Sequence, residues 1–166
     1  MKVFSTKINS YIMAATFLSG LSVSAQSPVD VGVFDDGNNS LEVRVKPNSN
    51  FDGIFSSIVF TVRWDSYSGA ALGTPLQLLP ELQYIPIQKS GDVVTDGSSS
   101  YQVFAGFGMD PMHTLNVEWQ ANEEVVIARI PVTGNATFEI INDSWTGEIT
   151  NNGDYYVSLG GVDKTG

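Results

Sequence analysis

The chain has 166 residues, no cysteine and a formal net charge of −10, with 18 acidic residues against 8 basic ones. A surface this acidic repels nucleic acid and anionic membranes, which excludes both as partners. The absence of cysteine excludes a thiol nucleophile and a Cys-ligated metal, and it leaves a domain that holds together by its core alone.

The first 25 residues have the pattern of a signal peptide. Lys2 and Lys7 supply a positive start, Tyr11–Leu18 is a short apolar run, and Val23-Ser24-Ala25 offers the small residues a signal peptidase reads. The run is too short to span a bilayer, which takes about 20 apolar residues. The expected product is therefore secreted, extracellular or at the cell surface, with no membrane insertion after cleavage. Removing residues 1–25 leaves 6 basic against 18 acidic residues, a net charge of −12. Residues 26–166 then form a single domain.

No stretch of that domain shows a helical period. Val29–Phe34 alternates valines at 29, 31 and 33, and Asp35–Ser40 is a turn in which Gly37 and Asn38 accept positive φ. Leu41–Lys46 places Leu41, Val43 and Val45 inward and Glu42, Arg44 and Lys46 outward. The dominant element is Phe51–Asp65: Ile54, Ser56, Ile58, Phe60, Val62 and Trp64 share one side, and apolar residues on the other side make it a central strand. Ser66–Pro80 is irregular, with a short helical turn expected around Leu76–Leu79. Leu82–Gln88 is extended, and Pro86 makes it an edge or bulged strand. Ser90–Ser100 is a polar turn region around a short strand at Val93–Thr95. Tyr101–Gly108 and Thr114–Gln120 alternate as strands, Glu124–Val132 is a second central strand, and Ala136–Ile141 and Tyr155–Leu159 complete the set. Short strands at this spacing without intervening helices define an all-β, antiparallel two-sheet sandwich.

Phe51-Asp-Gly-Ile-Phe, Phe60-Thr-Val-Arg-Trp-Asp65 and Glu123–Val132 resemble segments of a cohesin-like domain. Tyr101–Gly108, Phe138–Trp145 and Gly153–Gly160 resemble segments of secreted bacterial surface proteins, often cargo of the type IX secretion route. The resemblance implies a jelly roll of about nine strands, shared with several carbohydrate-binding modules, that acts as a binding or structural unit. Neither a dockerin-type partner sequence nor a C-terminal sorting domain accompanies it, so the expectation is a different export route or a piece of a longer protein.

The chemistry-bearing residues are few. His113 is the single histidine, and one imidazole without a second His or Cys builds no zinc site. Glu123 and Glu124 are adjacent, so on a strand they point to opposite faces and form no acid–base couple. No catalytic residues are assigned and no enzyme is expected. Asp35, Asp36 and Asn38, and separately Asn151 and Asp154, are clusters of hard oxygen ligands that suit calcium, although ordinary turns explain them as well; no other cofactor is implied. Trp64 and Trp119 fall on inward faces. Trp145, in a polar loop, and Tyr67 with one of Tyr155 and Tyr156 remain for an outward surface, where coplanar rings would stack a glycan.

The expected function is a non-catalytic extracellular module for protein recognition or surface assembly, through a sheet face or an edge strand. Its partner would be a protein or, alternatively, a surface polysaccharide bound on exposed aromatics. A structural spacer of a larger adhesin is the third reading.

Overall fold

Alternation of apolar and polar residues between positions 55 and 65 puts one side of this segment on a core, and the rest of the fold assembles around it. The computed structural model describes residues 29–78 and 86–165; the predicted leader, Leu79 and Leu82–Ile85 lie outside them. Among the described residues eleven strands follow in order: β1 (Val29–Asp35), β2 (Ser40–Pro47), β3 (Phe55–Asp65), β4 (Ala71–Leu72), β5 (Leu76–Gln77), β6 (Gln88–Asp96), β7 (Ser99–Phe107), β8 (Val125–Thr133), β9 (Glu139–Ile140), β10 (Tyr156–Leu159) and β11 (Val162–Asp163). Three single 3-10 turns, Ser66–Ser68, Met112–Leu115 and Ile149–Asn151, lie between them.

The strands form two antiparallel sheets packed face to face. One has the order β1-β2-β8-β4, with β5 following β4 along β8. The other has the order β11-β10-β3-β7-β6, with β9 beside β3 beyond the end of β10. Thr165 closes back on Val29 in a parallel bridge, which ties the C-terminal end to the first strand.

The core lies where the side-chain period predicts it. Leu41, Val43 and Val45 of β2 and Ala128 and Ile130 of β8 face Ile58, Phe60, Val62 and Trp64 of β3, all buried. Phe60 and Phe104, opposite each other on β3 and β7, stack with ring centroids 5.3 Å apart. Two bulges shift the pattern locally. Between Ser158 and Leu159 the β10 register steps from Ser57 to Phe55, so Ser56 is an extra residue and Phe55 takes the inward place expected for Ile54. Across from Val43 and Arg44, β8 carries Ile127 as its extra residue, and Ile127 and Ala128 are both buried.

Four sequence expectations change. Leu76–Gln77 is a strand on β8 rather than a helical turn, and the Gln77 side chain bonds both the N–H and the C=O of Ile87. The polar Ser90–Ser100 region is mostly the long edge strand β6, in a hairpin with β7. Its register slips between Ser90 and Val94, where Gly91 has φ of 76° and the buried Gln102 amide donates to the Gly91 carbonyl at 3.1 Å. Thr114–Gln120 is not a strand: Met112–Leu115 is a 3-10 turn closed by Asn116 at φ 56°, and Trp119 meets Phe51 in a single bridge. Ala136–Ile141 keeps strand pairing only at Glu139–Ile140. At Leu76–Gln77 and in β6, pairing with a distant strand overrides the short local pattern.

Phe60→Ala removes a fully buried ring from a stacked pair and should cost about 3–5 kcal/mol of unfolding free energy, read by denaturant titration. The two core tryptophans separate a hydrogen-bond effect from packing. Trp64 Nε1 donates to the Ala70 carbonyl at 3.1 Å, whereas Trp119 Nε1 is buried without a partner. Trp64→Phe should therefore destabilise more than Trp119→Phe, by about 1 kcal/mol in the same titration.

Candidate functional site

The outward faces of the two sheets carry opposite chemistry. On the β1-β2-β8 sheet, Glu42 is buried although charged, because it accepts from Arg44 at 2.8 Å and from Arg129 at 2.8 Å. Hydrogen bonds from Arg129 and then Arg44 hold its carboxyl below the usual range. Arg44 also pairs with Glu124 and lies over the Phe34 ring, 4.6 Å from its centroid. The Phe34 ring in turn covers Gly32, where an added Cβ would come within 2.8 Å of it. Ion pairs cross this face, and beside them Phe34 keeps 43% of its surface exposed.

The outward face of the β10-β3-β7-β6 sheet is different. Register places Tyr156, Val59 and Ala105 side by side across three strands, with Phe107 on the next row opposite Ser57. Phe107 is 66% exposed and Tyr156 38%. Ile149, 88% exposed, stands on the adjoining loop and lines a groove of about 300 Å³ with Val59, Gly153 and Tyr156. Glu148 and Asp154 line the same groove and give it an acidic margin.

The loop of residues 141–155 covers this face over Thr61 and Tyr101. Asp143 is its hub: Oδ1 accepts from the N–H groups of Trp145 at 2.9 Å and Thr146 at 3.1 Å, and Oδ2 from Tyr101 Oη and Arg63 Nη1, both at 3.1 Å. Burial raises the Asp143 carboxyl, but these bonds outweigh it, led by the Thr146 N–H, and the net shift is downward from 3.8. The Trp145 ring stacks on Tyr101 with centroids 4.3 Å apart and an interplanar angle of 14°. Thr61 is buried beneath the loop and donates to the Gly153 carbonyl at 2.8 Å; a Cβ at Gly153 would meet Thr61 and Trp145 at 3.0 and 3.2 Å.

These contacts decide where the expected site residues stand. Trp145 spends one ring face on Tyr101 and is packed by Gly153, so it anchors the loop. Tyr155 faces inward, half-buried, and donates to the Val29 carbonyl at 3.1 Å; burial pushes its hydroxyl up to about 12. Tyr156 is on the outer face, while Tyr67 lies beyond the end of β3, at least six residues along from the Val59 row. At 3.3 Å per residue that is about 20 Å, so the four rings form no common plane.

The oxygen clusters are engaged within their own turns. Asp35 Oδ1 accepts from the Gly37 N–H at 2.8 Å, and Asp36 takes the Asn38 N–H at 2.7 Å and the Ser40 hydroxyl at 2.6 Å. The Ser40 hydroxyl is the main cause of the lowered Asp36 ionisation. Positive φ falls at Gly37 and Asn39, not at Asn38. Asn151 Nδ2 donates to the Trp145 carbonyl at 2.7 Å, and Asp154 is exposed on the other sheet's outer face. Among the described residues no group of three or more His, Cys, Asp or Glu side chains is placed to hold a metal ion. His113 is exposed, with Nδ1 3.2 Å from the Asp52 carbonyl.

Of the two routes to a partner, the edge is the weaker. β6 is exposed along its whole length, but its bulge breaks the flat template, and Lys89 reaches across to the Leu72 carbonyl. The sheet face is open around Tyr156, Val59 and Phe107, where the 141–155 loop does not cover it. Comparison with family models, characterised proteins and solved structures returned no match. Fold and face together define an antiparallel β-sandwich with one ion-paired face and one partly apolar face.

Because the folded Asp143 carboxyl ionises below its ordinary value, its stabilisation is complete above about pH 4 and is lost as pH falls through the folded value. Asp143→Asn should flatten the decline of the melting temperature below pH 4 and, at neutral pH, increase solvent quenching of Trp145 fluorescence.

Proposed function

We propose that this chain is a non-catalytic extracellular recognition module, a cohesin-like sandwich that binds a protein partner on the outer face of its β10-β3-β7-β6 sheet. The observation that carries the reading is the apolar surface left open by Phe107, Tyr156, Ile149, Val59 and Ala105, opposite a face crossed by the ion pairs of Glu42, Arg44 and Arg129. Apolar and aromatic side chains on a rigid, flat support are what protein interfaces use as anchors. The acidic margin at Glu148 and Asp154 favours a partner with basic residues around an apolar centre. The leader-like residues 1–25 and the cysteine-free, acidic composition support export to the cell surface or beyond. A plain spacer has no use for an open apolar face.

The test compares three baits on the extracellular and envelope fraction of the source cells: the wild-type chain, Phe107→Asp and, on the opposite face, Asp30→Ala. One protein should be retained in stoichiometric amount by the wild type and Asp30→Ala. Measured with that protein purified, Phe107→Asp should weaken binding by roughly thirtyfold, the effect of losing one interface anchor. Equal affinity of all three chains would refute the assignment.

A further inference from the structure

We propose a second binding site, separate from the sheet face, in the cleft between the Ser66–Ser68 turn and the Asn135–Thr137 loop, and we assign it a pyranose saccharide as ligand. The cleft is a broad, open concavity of about 700 Å³ at the loop end of the sandwich, within the size range of small-molecule sites. Tyr67 stands on one wall, 83% exposed. Exposed Ser98, Asn135 and Thr137 stand with Glu139 on the others.

Tyr67 sits on a rigid support. The Asp65 carboxylate accepts the Tyr67 N–H at 2.9 Å, and the Ser68 hydroxyl donates to the Asp65 carbonyl at 2.6 Å while accepting from the Ala70 N–H at 3.2 Å. Gly69, at φ 68°, ends the turn. The opposite wall is braced to the same segment: Gly134 has φ of 79°, and a Cβ there would come within 2.8 Å of the Ala70 Cα. Below, the Trp64 indole holds the Ala70 carbonyl and packs on Phe138. The backbone of both walls is therefore held before any ligand arrives, which lowers the ordering cost of binding.

Such a cleft suits a sugar ring. A pyranose offers an apolar C–H face to a flat aromatic and a rim of hydroxyls to carboxamide, hydroxyl and carboxylate groups. Tyr67 supplies the first, and Asn135, Thr137, Ser98 and Glu139 supply the second. The Arg63 guanidinium, paired with Glu139 and Asp143, leaves no free cation on this wall to select an anionic ligand.

Amide NMR titration of the whole chain with cellohexaose, xylohexaose, mannohexaose and a proline-rich peptide tests the assignment. At least one saccharide should shift the Tyr67, Ser98 and Asn135 amides saturably. Tyr67→Ala should weaken that binding about tenfold or more at an unchanged melting temperature, and Tyr67→Phe should keep most of it. Phe107→Asp, on the sheet face, should leave it unaffected, so this site and the protein-binding face fail independently. Saccharide shifts elsewhere, shifts by the peptide alone, no shift with any probe, or binding indifferent to Tyr67→Ala would each overturn the proposal.

Discussion

β3 is buried on its inner side by the opposing sheet and covered on much of its outer side as well, and most of the architecture follows from that double burial. Its inner side chains meet β2 and β8 across the core, and its edges are paired with β7 on one side and β10 and β9 on the other. A strand so placed has little freedom to slip, because a one-residue shift would send Phe60 and Val62 outward and Thr61 and Arg63 into the core. The two bulges are where the sheets absorb this constraint. Ser56 and Ile127 each add a residue that lets a flanking apolar side chain reach the interior without disturbing the register beyond.

Burial of polar groups follows one rule throughout. Glu42 is taken out of water only because two guanidiniums meet it, and Gln102 only because its amide serves the carbonyl exposed by the β6 bulge. Thr61 is tolerated under the 141–155 loop because its hydroxyl reaches the Gly153 carbonyl. Trp119 Nε1 is the exception, and it lies where Phe51 and Phe55 pack the indole on two sides.

The same loop links fold to function. By stacking Trp145 on Tyr101 and tying Asp143 to Arg63 and Tyr101, it seals the half of the outer face near β9 and leaves the half near β10 open. The open half is the surface proposed above to meet a partner. At the end of the same strand, the capped turn carrying Tyr67 and the loop pinned at Gly134 form the cleft, so β3 supports both candidate sites at different points along its length.

Much of this could be read from residue order. A side-chain period of two is a local property, so the inward faces of β2 and β3, the burial of Trp64 and the lack of long helices among the described residues were legible without coordinates. The candidate sites were legible only in part. Tyr67 and one of Tyr155 and Tyr156 were recognisable as outward rings, but which of the two, and how far it lies from Tyr67, depends on strand register. The anchoring role of Trp145 depends on Tyr101, 44 positions earlier in the chain. No local pattern marks Phe107 as open and Tyr101, on the same face of the same strand, as covered, because the covering loop comes from residues 141–155. Pairings between distant segments carry no signature in either segment taken alone, and for that reason faces were readable in advance whereas surfaces and clefts emerged only once the sheets had closed.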